Sequence, residues 1–227
     1  MTTGQVPSSL VLLHGFASTF DHNWRQSGWV DILADFGCSV PPIDLPGHGS
    51  SRRETDPSAY ASVAEDVFAL LPHPANAVGF SAGAELLLRM AMAHPGCFEK
   101  LALLGLGDNV FDSSDPSTLA ASLEEGDEPE DVQARLFHRM AASTGNDPAA
   151  LSAFLRRPRA PIRDADLSVV TCPVLVVLGD RDMTKTADRL VAALPGASLV
   201  SVPGVDHFAT PSDFGVIDAT MRFFGFG

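Results

Sequence analysis

The sequence predicts an α/β fold: a doubly wound, mostly parallel sheet with a helical cap inserted between two of its strands. Three observations predict it. Short uninterrupted apolar runs, such as residues 10–13 and 75–80, are too brief for helices and lack the polar alternation of a half-exposed strand. They read as strands buried on both faces. Between such runs lie segments with helical apolar stripes, and strands alternating with helices imply a parallel sheet. The stretch from about Asp108 to Arg163 then breaks the alternation with helical fragments alone.

Taken in order, residues 10–13, closed by His14 and Gly15, form a central strand. A helix over residues 29–36 leads to a second short strand ending near Ile43, where Pro41 and Pro42 blur the boundaries. Residues 44–51 read as loop. A helix over 58–71 precedes the strand at 75–80, and 82–93 is helical with an apolar stripe. Further strands are expected at 100–106, 173–178 and 198–202, with helices at 184–194 and 213–224. In the insertion, Leu119, Leu123, Val132, Leu136, Phe137, Met140, Phe154 and Leu155 recur at helical spacing around an acidic cluster from Glu124 to Asp131. The division is a core of residues 1–107 and 164–227 with a cap of residues 108–163.

A length of 227 residues suits one domain, and 45% apolar residues with dispersed Pro and Gly indicate a packed core, not disorder. A formal charge of −13 argues against binding nucleic acid or acidic membranes. No basic-then-apolar start is visible, and no apolar run approaches the roughly 20 residues of a membrane-spanning helix. Cys38, Cys97 and Cys172 are odd in number and lack metal-finger spacing, so reduced thiols and a cytoplasmic setting are expected.

The chemistry centres on Gly79-Phe80-Ser81-Ala82-Gly83, a GxSxG pattern lying between an expected strand and an expected helix. A sharp strand-to-helix turn lifts a serine hydroxyl above the sheet and leaves no room for side chains beside it, hence the glycines. The free N–H groups of the helix starting at Ala82 favour negative charge nearby. A serine needs a base to take its proton, and the base needs an acid to hold its tautomer. His207, after the last strand, is the candidate base, and Asp182, in Gly179-Asp180-Arg181-Asp182, the candidate acid, with Asp180 and Asp108 as rivals. The N–H groups of Phe16, in the turn after His14-Gly15, and of Ala82 are candidate oxyanion donors.

The His14-Gly15 turn, the loop Asp44-Leu45-Pro46-Gly47-His48-Gly49-Ser50, the serine elbow, the GxxD strand end and the late histidine stand in one order along the chain. In this the chain resembles the α/β-hydrolase superfamily, in particular its small serine esterase-like members, from Ser9 to Phe224. The resemblance implies catalytic Ser81, Asp182 and His207, and no cofactor or metal. Phe80 departs from the His or smaller residue of many relatives, and the sheet is expected to lack the first two family strands. A serine at position 81 separates the chain from aspartate-using dehalogenase-like and cysteine-using lactone hydrolase-like relatives.

Other features have plainer readings. His48 suits a structural loop role, Trp24 and Trp29 suit core packing, and His22, His73, His94 and His138 suit surface or capping positions. Arg156, Arg157, Arg159 and Arg163 form a basic run that either faces solvent or docks an anionic substrate or acidic acyl carrier. The expected activity is hydrolysis of small-molecule carboxylic esters with short to medium acyl chains through an acyl-enzyme. Thioester, amide or carbon–carbon bond hydrolysis on the same residues, or a slow-turnover ligand receptor, remain alternatives.

Overall fold

The computed structural model describes residues 6–112, 116–125 and 131–226. Residues 126–130, in the acidic cluster, lie outside them. Among the described residues the sheet has five strands, all parallel and in chain order: β1 (Val11–Leu13), β2 (Ala75–Phe80), β3 (Phe98–Leu104), β4 (Val174–Gly179) and β5 (Ala197–Val202).

Side-chain alternation along the strands builds a core on each face. Val11, Leu13, Ala77, Leu101, Leu103, Val174 and Val176 pack on one side with α2 (Val63–Phe68), α3 (Ala82–Ala93) and Leu190 of α7 (Asp188–Ala193). Leu10, Leu12, Val78, Phe80, Leu104, Leu175 and Val177 pack on the other with α1 (Trp29–Asp35) and α8 (Phe214–Phe224). Both Trp24 and Trp29 are fully buried there.

A single parallel bridge, Ser9 to Ser39, explains why helices cover both faces. The register Val11 to Ala77 puts Ala75 level with Ser9 on the β2 side, so Ser39 occupies the opposite side of β1. The chain therefore first moves outward from β1 and then returns past it to β2. With right-handed crossovers, opposite directions of travel put α1 and α2 on opposite faces. The reversal makes the C-terminal ends of β1 and β2 the switch point, where open α/β sheets hold their ligands.

Three expectations change. The second strand shrinks to that bridge, because Pro41 and Pro42 have no N–H to continue a ladder. The helix expected at 58–71 is broken into a 3₁₀ turn, Pro57–Tyr60, and α2. Tyr60 is buried against Phe154, and its hydroxyl donates to the Glu54 carbonyl while accepting from the Glu54 N–H, which tertiary packing alone dictates. The helix expected from 184 starts at Asp188, because Thr184 and Lys185 instead fold back on Asp182.

The stretch between β3 and β4 holds α4 (Ser117–Glu125), α5 (Val132–Ser143) and α6 (Pro148–Leu155). Asp131 caps α5 by accepting from Ala134 N–H, and Asp147 caps α6 ahead of Pro148. Leu123, Phe137, Ala141, Leu151 and Phe154 join the core of the α3 face. Val132 and Leu136, expected to point inward, are exposed instead; Ala134, Phe137 and Ala141 form the inner stripe of α5. No helix among the described residues is long and apolar enough to cross a membrane.

Candidate active site

Ser81 sits between the last residue of β2 and the first of α3, with φ 52° and ψ −112°. A non-glycine residue at positive φ costs about 1–3 kcal/mol and persists only where its surroundings impose it. Here the surroundings are close. A Cβ on Gly83 would lie 2.3 Å from the Leu13 carbonyl oxygen, and one on Gly79 would lie 2.6 Å from the Ala84 backbone. Both glycines of GxSxG are therefore steric requirements of packing α3 against β1 and β2.

His207 and Asp182 arrive from the loops after β5 and β4. His207 Nε2 lies 3.0 Å from Ser81 Oγ, and its Nδ1 lies 2.9 Å and 3.1 Å from the two Asp182 carboxylate oxygens. The carboxylate can only accept from Nδ1–H, which leaves Nε2 as the acceptor facing Ser81. Asp182 and His207 are buried and Ser81 is partly open. Burial alone would raise the Asp182 pKa, but bonds from His207 and from Thr184 N–H outweigh it and hold the carboxyl below its ordinary value. The rivals are engaged elsewhere. Asp180 accepts from Gly204 N–H at 2.7 Å, and Asp108 accepts from Leu190 N–H at 2.9 Å at the start of α7.

The turn after β1 packs directly on the elbow: a Cβ on Gly15 would lie 2.7 Å from the Phe80 ring and 3.5 Å from Ser81 Cβ. Among the described residues, neither the Phe16 nor the Ala82 N–H donates to another group. His14 donates from Nδ1 to the Gly15 carbonyl and accepts at Nε2 from Leu45 N–H. Burial pushes its pKa down to about 4, so it is neutral and its 3.7 Å approach to Asp44 is not an ion pair. Burial likewise pushes His48 down to about 3; it donates to the Pro46 carbonyl and packs edge-on against Phe16 and Phe154, in keeping with a structural role.

Several site neighbours were given no site role by the sequence. Phe80 is wedged between Gly15 and Gly105, and Gly105, at φ 61°, would place a Cβ 2.8 Å from Phe80 and 3.3 Å from His207. Phe137 of α5 packs between two site neighbours, its ring centroid 5.5 Å from Phe16 and 5.2 Å from Phe208, the residue after His207. Asn23 and Asn146 hydrogen-bond the turn around Phe16. Gly105, following an apolar run, was the one of these with a findable mark.

Each arginine of the basic run has an acidic neighbour, but only Arg157 is buried and Arg163 stays largely exposed. Arg156 meets Glu124, Arg163 meets Asp166, and Arg159 lies 3.6 Å from Glu85. Arg157 is buried, 4.0 Å over the Phe154 ring and 3.7 Å from Glu85. A hollow of about 350 Å³ beside this cluster, and another of about 800 Å³ lined by Thr19, Arg25, Asp44 and Thr144, include none of Ser81, Asp182 or His207. Among the described residues no group of three His, Cys, Asp or Glu side chains is placed to hold a metal ion.

A serine on a strained strand-to-helix turn, hydrogen-bonded to a histidine that is itself bonded to a buried aspartate, on a doubly wound parallel sheet, defines the hydrolase class of α/β proteins. The chain belongs to the alpha/beta hydrolase family, whose model matches residues 10–218. It is 27% identical over 234 aligned residues to a pimeloyl-[acyl-carrier protein] methyl ester esterase of Nitrosomonas europaea, covering 91% of this chain and 90% of that protein. It is 41% identical over 103 residues to the protein of the same name from Methylococcus capsulatus, a match spanning 45% of this chain and only 38% of that relative. An enol-lactonase from Burkholderia xenovorans superposes with a TM-score of 0.75 at 18% identity, covering 100% of this chain and 94% of that one. An esterase from Exiguobacterium antarcticum gives 0.72 at 18% identity, covering 96% and 92%. At these identities the two structures speak to the fold alone.

Proposed function

We propose that this chain is a carboxylic ester hydrolase for short to medium acyl chains, working through an acyl-enzyme on Ser81. The observation that carries the reading is the Ser81–His207–Asp182 chain of hydrogen bonds at 3.0 and 2.9 Å. His207 Nε2 takes the Ser81 proton as Oγ attacks the ester carbonyl, and Asp182 stabilises the resulting imidazolium. The carbonyl oxygen, now negative, receives the N–H groups of Phe16, in the turn after β1, and of Ala82, at the N-terminus of α3. His207 then protonates the departing alkoxide, the acyl group stays on Oγ, and a water activated by the same histidine releases the acid.

In this reading residues 108–163 act as a cap over the core formed by 1–107 and 164–227. The Phe16, Phe137 and Phe208 rings limit the room beside Ser81, which supports small esters over long lipids. The relatives' names add a second, narrower reading, a methyl ester carried on an acyl-carrier protein, supported by the match along 90% of the Nitrosomonas europaea protein. The arginines already face acids of this chain, and with the net charge of −13 this gives an acidic carrier little to hold, so the free small ester is preferred. The three free cysteines fit a cytoplasmic setting.

The test is turnover of p-nitrophenyl esters from acetate to palmitate, methyl esters of free and carrier-bound acids, and labelling by a fluorophosphonate. Ser81→Ala should abolish labelling and lower kcat by roughly 10⁴- to 10⁶-fold. A Ser81→Ala protein keeping more than about a tenth of wild-type activity removes the serine mechanism.

A further inference from the structure

The Phe16 N–H serves an oxyanion only if the turn that carries it is held in place, and the backbone bond that closes the turn, Ser18 N–H to the Gly15 carbonyl, is long at 3.3 Å. Ala17 stands at φ 59°, a conformation that alanine disfavours. Two buried asparagines grip the turn from either side of Phe16. Asn23 Oδ1 accepts from Gly15 N–H at 2.9 Å. Asn146 Nδ2 donates to the carbonyl oxygens of Ala17 and Ser18, at 3.0 Å each, while its Oδ1 accepts from Gly49 N–H at 2.7 Å. The Thr144 hydroxyl lies 2.8 Å from the Met140 carbonyl oxygen and 3.0 Å from that of Ala17, and it accepts from Asn146 Nδ2 at 2.8 Å, so it buttresses Asn146 against the turn.

The two asparagines differ in origin. Asn23 belongs to the segment that follows the turn, whereas Asn146 lies between α5 and α6, in the insertion. A side-chain amide offers both donors and an acceptor, and here each is used. Aspartate of the same shape has no donor for the two carbonyls, and leucine has neither function. From this geometry we propose that Asn146 is a positioning residue for the oxyanion turn, so that seating of the helical insertion is a condition for chemistry at Ser81. The proposal rests on the reading of Ser81 as the nucleophile.

Oxyanion donors act at 2.7–3.1 Å from the position the charged oxygen will take. A displacement of about 1 Å costs on the order of 10²-fold in rate. Asn146 is buried and its amide is taken up by Ala17, Ser18 and Gly49, so its loss should fall on kcat and leave KM nearly alone.

The experiment measures kcat and KM on p-nitrophenyl butyrate, the inhibition constant of phenylboronic acid, which forms a tetrahedral adduct on a serine, and the thermal midpoint. The variants are Asn146→Ala, Asn146→Asp and Thr144→Val. Both Asn146 variants should lower kcat by roughly 10²-fold and weaken phenylboronic acid in parallel, with KM within about threefold. Asn146→Asp keeps the shape and the bond from Gly49 N–H but turns an acceptor toward the Ala17 and Ser18 carbonyls, so it replaces both donations by repulsion. Thr144→Val should show the same pattern at about a tenth of the size, and it decides the matter if neither Asn146 variant folds. A folded Asn146 variant with kcat within about threefold of wild type overturns the proposal. So does a fall in kcat without loss of phenylboronic acid affinity, or, where only Thr144→Val folds, an unchanged kcat. Ser81→Ala, run alongside, separates the two ideas. Activity surviving in Ser81→Ala overturns both, whereas an inactive Ser81→Ala beside a fully active Asn146→Asp overturns this one alone.

Discussion

Lowering the pH from 7 to 5 should weaken the fold through two histidines that the proposed reaction never protonates. His14 and His48 are fully buried, and burial lowers their pKa from 6.5 to about 4 and about 3. Asp44, near His14, opposes the shift, while the His14–His48 pairing and Arg157 add to that of His48. The unfolded chain binds protons at these positions as pH falls through 6.5, and the folded chain does not. Stability from both is therefore whole above about pH 6.5 and is lost as pH falls toward the folded values. At about 1.4 kcal/mol per unit over one and a half units, each contributes roughly 2 kcal/mol, or about 3–4 kcal/mol together at pH 5. Asp44, Glu85 and Asp182, whose carboxyls are held below their ordinary values of 3.8 and 4.5, lose stability in the same direction but mainly below those values, so the change down to pH 5 is dominated by the histidines. Urea unfolding of the wild type and His48→Gln at pH 7, 6 and 5 measures the effect. The variant should lose about half as much stability between pH 7 and 5 as the wild type. An equal pH slope in both would refute the reasoning, because it would mean that His48 titrates alike in the folded and unfolded chains.

Other outcomes follow from single contacts. Asp182→Asn should lower kcat by about 10⁴-fold by spoiling the His207 tautomer, while Asp180→Asn, which disturbs only the Gly204 N–H bond, stays within about threefold; the reverse ranking in ester turnover would mean a different acid. Phe137→Ala should move the acyl optimum to longer chains, with each newly accommodated methylene worth about 0.8 kcal/mol, near fourfold in kcat/KM; an unchanged chain-length profile would exclude Phe137 as the limit. Arg157→Met should cost roughly 1–3 kcal/mol in urea unfolding, because it removes a buried cation beside Glu85 and a bond to the Phe154 carbonyl, while Arg89 and Arg159 still pair Glu85. In the Arg156→Ala, Arg159→Ala double mutant the ratio of neutral to anionic ester turnover should not change, and a selective loss of the anionic ester would restore a docking role to the cluster. Gly105→Ala should reduce both the thermal midpoint and kcat, since its Cβ meets Phe80 and crowds His207; a fully active variant of wild-type stability would show that the loop yields freely.

What the sequence determined by itself is what local physics controls. Short apolar runs end in glycine, so β2 and the start of α3 are legible to the residue, as is the serine between them. The order of serine, aspartate and histidine along the chain was readable too, because each closes or follows a strand whose ends were visible. Tertiary structure decided what depends on distance. Asp182, Asp180 and Asp108 are equal as letters, but only one of them meets His207, while the other two are consumed by Gly204 and Leu190 N–H groups. The second strand was lost to two prolines, yet its single remaining bridge at Ser39 still sets the switch point of the sheet. The arginine run looked free as a string of charges, and while Arg163 takes its acid from nearby Asp166, those of Arg156, Arg157 and Arg159 come from Glu124 on α4 and Glu85 on α3, far away in sequence. Nothing near Asn146 in the chain distinguishes it, because its partners at Ala17, Ser18 and Gly49 lie about 100 residues or more earlier and meet it only when the insertion folds down onto the sheet.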